Sequence, residues 1–141
     1  MASTIHLDIV SAEHELFSGS CSMVYAPAIE GEVGIMPNHA PMVTRLKPGE
    51  VRLEAADGEE QSFYVNGGIL EVQPHVVTIL SDTGIRADDI DEAAAQQAKE
   101  DAERALSDQS AEMDMAAAQA ELAEAVAQLR ALQNLRKRGG R

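Results

Sequence analysis

Over residues 5–81 the apolar positions tend to alternate, and beyond Asp82 they fall on a three-to-four-residue period. Ile5, Leu7 and Ile9 alternate with His6 and Asp8, which puts three aliphatic side chains on one face of a pleated strand. A short run at Leu16 and Phe17 follows, closed by Ser18-Gly19, and a third strand runs through Met23, Val24 and Tyr25 to Pro27. Val51, Leu53 and Ala55 alternate with charged residues before Asp57-Gly58, and Phe63 and Val65 then resume the alternation. Asp-Gly between alternating runs predicts a hairpin, because both residues tolerate positive φ. Asn66-Gly67-Gly68 predicts another break, ahead of strands at 69–72 and 76–80 on either side of Pro74. Many short strands with closely spaced turn signals predict an antiparallel β-sandwich or flattened barrel.

The second half reads as helix. Asp88-Asp89-Ile90-Asp91-Glu92 supplies cap candidates and first-turn acids that suit the positive end of a helix dipole, and an Ala-, Glu- and Gln-rich run continues to Leu106. Ser107-Asp108-Gln109-Ser110 is a polar break, and a second run extends over 111–138. In that run Met115, Leu122, Val126, Leu129 and Leu132 recur at spacings of seven, four, three and three, an apolar helical stripe. Two helices joined by a short polar loop predict an antiparallel αα-hairpin, with Gly139-Gly140-Arg141 fraying at its end. The chain thus divides into a β domain over residues 1–86 and a helical hairpin over 87–141. The hairpin seam is largely alanine, so at ~25 cal/mol per Å² its burial contributes much less than a leucine seam would. The pattern leaves open whether the hairpin is a moving part or a permanent appendage.

Composition narrows the chemistry. With 24 acidic and 11 basic side chains the net charge is -13, which repels phosphate backbones and excludes nucleic acid as a partner. Cys21 is the lone cysteine, so neither an intrachain disulfide nor a multi-cysteine metal cage can form. The start of the chain has no basic n-region or apolar h-region, and no apolar run approaches the ~20 residues that span a bilayer. Work at a membrane would therefore go through a partner. His6, His14, His39 and His75 are scattered without an HExxH spacing, so no metal site is expected. Ser18-Gly19-Ser20 and Ser81-Asp82 form no GxSxG elbow, and no GxxxxGK[ST] loop is present. A hydrolase reading finds no nucleophile and base paired in the sequence.

Charge is uneven along the chain. Residues 1–86 hold 4 basic and 12 acidic groups, and residues 87–141 hold 7 and 12. Arg130, Arg136, Lys137, Arg138 and Arg141 nevertheless form a basic end with no acid after Glu124. Complementing a helix dipole is worth only ~0.3–1 kcal/mol, and five cations exceed what that role needs. The excess points to docking on an acidic partner surface. A further segment, Glu30-Gly31-Glu32-Val33-Gly34-Ile35-Met36-Pro37-Asn38-His39-Ala40-Pro41, combines two glycines and two prolines around an apolar pair. That composition fixes a loop path, either as a tight β-crossover or as a rigid presentation surface.

The stretch from that segment through Met42-Val43-Thr44 resembles the signature loop of the epsilon-subunit family of bacterial F-type ATP synthases. The opening Leu7-Asp8-Ile9-Val10-Ser11-Ala12-Glu13, the Leu46-Lys47-Pro48-Gly49 turn and Gly67-Gly68-Ile69-Leu70-Glu71-Val72 are similar to that family too. So are Ala120-Glu121-Leu122-Ala123 and the run from Ala127-Gln128-Leu129-Arg130. The resemblance spans almost the whole chain in order. It implies a non-catalytic central-stalk subunit, peripheral on the cytoplasmic face of the bacterial inner membrane. It also implies a sandwich that binds the gamma subunit and sits on the c-ring, with Glu32, Val33, Met36 and His39 at the c-ring contact. The hairpin would fold on the sandwich or extend along gamma into the catalytic head and inhibit ATP hydrolysis. Val126, Leu129, Arg130, Leu132, Arg136, Lys137 and Arg138 would then meet the alpha and beta subunits.

Some members of that family bind ATP through an Ile-Asp-x-x-Arg-Ala motif that opens the first helix. Here the motif reads Ile90, Asp91, Glu92, Ala93, Ala94, Ala95, so the arginine is replaced by Ala94. No cofactor is expected, and weak or absent ATP binding follows from losing a charged phosphate donor worth ~1.5–3 kcal/mol net. The alternative is a nucleotide-sensing module with ATP at the hairpin.

Overall fold

The computed structural model describes residues 3–107 and 115–139. The strands are β1 (Ile5–Ser11), β2 (Glu15–Ala28), β3 (Gly31–Ile35), β4 (Met42–Ala55), β5 (Glu60–Val72), β6 (Val76–Ser81) and β7 (Gly84–Arg86). A single 3-10 turn at Ala87–Asp89 leads into α1 (Glu92–Ser107) and α2 (Met115–Gly139). β1, β6, β5, β4 and β2 hydrogen-bond in that order, and β2 returns to pair with β1, so these strands close on themselves. β3 adds to β2 and β7 adds to β5. The β1–β6 ladder is parallel and the others antiparallel. The result is the flattened barrel the alternation predicts, with the hairpin packed on one face.

Inside the barrel, Ile5, Leu7, Ile9, Val24, Val51, Leu53, Phe63, Val65, Leu70 and Ile79 are buried almost completely. Asp57-Gly58 does turn the chain between β4 and β5, with Gly58 at φ 89°. Two predicted breaks are absent, and the Leu46-Lys47-Pro48-Gly49 turn likewise lies inside β4. Ser18-Gly19 lies inside β2, which runs unbroken from Glu15 to Ala28. Its first half pairs with β1 and its second half with β3 and β4, so one strand serves three ladders. Asn66-Gly67-Gly68 likewise lies inside β5 and marks the point where β5 changes partner from β7 to β6. Gly68 has φ 131°, and a Cβ there would sit 2.0 Å from the Leu80 carbonyl oxygen. Only glycine fits this crossing.

The hairpin seam is built from alanines. Ala95 and Ala102 of α1 and Ala118 and Ala125 of α2 are buried, each pair seven residues apart. Of the stripe expected from Met115, Leu122, Val126, Leu129 and Leu132, only Leu132 is buried: Met115 is exposed and the other three are half-buried. Small side chains let the two backbones approach, and the long ones splay to the flanks. Asp91 caps α1, its Oδ1 accepting the Ala94 N–H at 3.0 Å. Ser107 is still helical and α2 continues through Gly139, beyond the expected stop. The rest of the predicted polar break, the start of the second run at Ala111 and the predicted fraying of Gly140-Arg141 lie outside the described residues.

Candidate functional site

Three surfaces and one hinge region carry the candidate chemistry. The first surface is the β3 end of the barrel. Residues 31–35 of the signature segment form edge strand β3, and Met36-Pro37-Asn38-His39 turn back toward β4. Asn38 sits at φ 67°, its N–H bonded to the Pro74 carbonyl at 2.9 Å, and the His39 N–H reaches the Met36 carbonyl at 3.2 Å. Of the predicted contact residues, Glu32 and Met36 are exposed and His39 is half-buried, its Nδ1 2.7 Å from the Ala40 carbonyl oxygen. Val33 turns inward and packs against the core, because strand alternation sends it to the face opposite Glu32.

The second surface was not legible as a surface. Val10, Leu80 and Ile69 lie in register across β1, β6 and β5, and Ile69 and Leu80 are each 47% exposed. Val43 on β4 is 72% exposed and pairs with Glu71 in the next row. Around Val10, Ala12, Gly68, Ile69 and Leu80 runs an open groove of about 350 Å³. A contiguous exposed apolar patch marks an interaction face. Its signal is the doublets Ile69-Leu70, Val76-Val77 and Ile79-Leu80, where alternation calls for one polar residue each.

The third surface is the seam between hairpin and barrel. Tyr64, Ala87, Ile90 and Ala131 form a small buried cluster, with Ile85, Ala127 and Leu135 packed against it. The Tyr64 hydroxyl is buried there without a hydrogen-bond partner, and burial, with the Glu124 charge adding, pushes its phenol well above the usual range. Part of the basic end is ion-paired within the chain. Arg136 pairs with Glu92 at the start of α1, one limb at 3.0 Å. Arg138 reaches back to the barrel, its Nη2 3.2 Å from Glu50 Oε2 and its Nε 3.8 Å from Glu60. Arg130 and Lys137 are exposed, whereas Leu132 is buried. Val126, Leu129, Arg130, Leu132 and Arg136 line a polar cleft of about 200 Å³ against α1, beside Lys99.

At the hinge, the degenerate ATP motif has structural duties. Ile90 plugs the seam, Asp91 caps α1 and Ala95 is buried in the alanine seam. Ala94 faces away from the cleft of Lys99 and Arg130, onto a groove bordered by Asp101, Glu121 and Glu124. Three carboxylates there would repel a triphosphate.

One cluster escaped the sequence because it depends on β1–β2 register. Ser18, His6 and Asp8 converge on the outer face, with Ser18 Oγ donating to Asp8 Oδ1 at 2.7 Å and His6 Nε2 2.9 Å from the same oxygen. Asp8 is held below its ordinary value chiefly by the Ser18 hydrogen bond. Serine and carboxylate meet the same imidazole nitrogen and the hydroxyl proton points to Asp8, so the relay of a nucleophilic triad is not set up. Cys21 is fully buried and its thiol is pushed up to about 11, which makes it inert. Among the described residues no cluster of His, Cys, Asp and Glu could hold a metal, and no helix is long and apolar enough to cross a membrane.

Comparison with known proteins gives concordant results for both halves. The family model "ATP synthase, Delta/Epsilon chain, beta-sandwich domain" matches residues 4–87, and "ATP synthase, Delta/Epsilon chain, long alpha-helix domain" matches residues 88–133. The chain is 64% identical over 140 residues to an ATP synthase epsilon chain of Nitrosococcus oceani, covering 99% of this chain and 100% of that one. It is also 64% identical over 137 residues to ATP synthase epsilon chain 1 of Methylococcus capsulatus, covering 97% and 98%. Among solved structures, a chain in the Euglena gracilis mitochondrial ATP synthase, OSCP/F1/c-ring, superposes with TM-score 0.81 at 24% identity, over 92% of this chain and 81% of that one.

Proposed function

The chain belongs to the delta/epsilon family of ATP synthase chains, and on that premise we propose that it is a non-catalytic central-stalk subunit of a proton-translocating F-type ATP synthase. In this reading the row of half-buried Val10 with exposed Leu80 and Ile69, together with Val43, docks the gamma subunit, since a packed partner is what such a patch lacks. The β3 end, with Glu32, Met36 and His39, sits on the polar loops of the c-ring. Contact with the membrane is through that ring, on the cytoplasmic face of the inner membrane.

Regulation belongs to the hairpin. The observation that carries this is the smallness of its anchorage on the barrel: one cluster around Tyr64 and Ala131 and the Arg138 ion pairs to Glu50 and Glu60, the alanine seam and the Arg136–Glu92 pair lying within the hairpin itself. An arm held this lightly can leave the barrel, extend along gamma and bring Val126, Leu129, Leu132 and the basic end to the alpha and beta subunits, which blocks ATP hydrolysis. Nucleotide sensing has one observation in its favour, the cleft of Lys99, Arg130 and Arg136, but Arg136 is already paired with Glu92 and Ala94 faces carboxylates. We therefore assign no nucleotide to the hairpin. The test is the ATPase rate of the reconstituted complex with the full chain and with a chain ending after Asp88. The shortened chain should assemble and hydrolyse ATP faster; equal rates would reduce the hairpin to an appendage.

A further inference from the structure

We propose that four alternating charges, Glu32, Arg52, Glu50 and Arg138, form a relay through which occupation of Glu32 by a cationic partner loosens α2 from the barrel. Arg52 touches two carboxylates with different edges. Its Nη2 donates to both Glu32 oxygens at 3.1 and 3.2 Å, and its Nε lies 3.6 Å from Glu50 Oε1. The guanidinium lies over the Tyr25 ring at 4.3 Å, which fixes its plane. Gly34 stands opposite Tyr25 in the ladder, and a Cβ there would come 3.5 Å from the ring.

Glu50 is the shared member. Its side chain is only 11% exposed, and its Oε2 accepts from Ser62 Oγ at 2.7 Å and from Arg138 at 3.2 Å. Arg138, 23% exposed, grips the barrel by charge from α2, with Glu60 as a second ion-pair partner. Tyr25, Arg52 and Ser62 are neighbours in one cross-strand row over β2, β4 and β5, so the relay rides on the rigid barrel rather than on loops.

The direction of coupling follows from the alternation. Arg52 divides its charge between Glu32 and Glu50. When a partner's lysine or arginine neutralises Glu32, Arg52 is left to Glu50 alone. The potential that Glu50 offers Arg138 then falls, and α2 is held less firmly. That the cation comes from the c-ring rests on the function proposed above; the coupling itself does not.

Amide hydrogen exchange on the isolated full-length chain tests it, with α2 amides at 127–135 as the readout and the barrel amides of Leu53 and Phe63 as internal reference. Glu32→Gln and Arg138→Gln should each speed α2 exchange by about two- to fivefold while the barrel stays unchanged. Arg52→Gln should slow it, because Glu50 is then left wholly to Arg138, and a merely structural arginine would give the opposite sign. Unchanged exchange in Glu32→Gln, or faster exchange in Arg52→Gln, overturns the relay. The ring assignment is separable: Glu32→Cys either crosslinks to a cysteine in a c-subunit loop or does not, whatever the exchange data show.

Discussion

Tyr64 shows how one atom can set the balance of a joint. Its ring is the largest fully buried side chain and fills the floor under α2, yet its hydroxyl has no partner. A buried unsatisfied hydroxyl costs ~1–3 kcal/mol and is repaid by water once α2 lifts away, so this group favours release. Tyr64→Phe keeps the ring and removes the penalty. It should stabilise the docked hairpin by ~1 kcal/mol, read as slower α2 amide exchange and a raised midpoint in urea; a lowered midpoint would mean the hydroxyl has a partner. Little of this was legible beforehand. Phe63 and Val65 resume the core alternation and are buried in the barrel as it predicts, which leaves Tyr64 on the opposite face; that α2 covers that face is a matter of tertiary packing. Gly67-Gly68 was half legible in the same way. The pair announces unusual backbone, but that it marks a change of partner within one strand depends on Leu80, twelve residues later, crossing against it.

At the scale of elements, the hairpin and the alanine character of its seam were visible, and the exact packing line was not. Period and capping signals place both helices, but of the long apolar side chains in the expected stripe only Leu132 is buried, while the seam goes to Ala95, Ala102, Ala118 and Ala125. Hydrophobicity ranks leucine first; close helix approach selects the smallest side chain, and a spacing pattern alone does not say which criterion rules. Because the seam is weak, ion pairs weigh more in closing the hairpin. Glu92 at the start of α1 has its carboxyl held below the usual value, first by its hydrogen bonds from Arg136 and then by that charge. A carboxyl depressed in the closed hairpin contributes stability that is complete above its ordinary value of 4.5 and is lost as pH falls below it. Hairpin closure should therefore be flat with pH near neutrality and weaken in acid below about that value. Glu92→Gln should remove Glu92's share of that acid step. A step of unchanged size in Glu92→Gln, by α2 amide exchange across the series, would mean that Glu92 does not carry it.

For the whole molecule, the barrel followed by two helices and the family were legible because local period, turns and the signature segment agree over nearly the full length. What the sequence could not supply is that part of the basic end is already ion-paired within the chain. In the folded state Arg136 and Arg138 are ion-paired, to Glu92 and to Glu50 with Glu60, whereas among the described residues neither Arg130 nor Lys137 makes an ion pair. If the extended arm docks its cations on an acidic surface of the catalytic head, the four are not equivalent. Neutralising Arg136 or Arg138 weakens the folded and the extended state together, and the two losses largely offset each other. Neutralising Arg130 or Lys137 weakens the extended state alone. The double substitution Arg130→Gln with Lys137→Gln should raise the ATPase rate of the reconstituted complex by roughly two- to fivefold, and more at low ionic strength where exposed charges are least screened. Arg136→Gln with Arg138→Gln should move it by less. The opposite order would mean that the folded-state pairs contribute little and that the last helical turn alone makes the inhibitory contact.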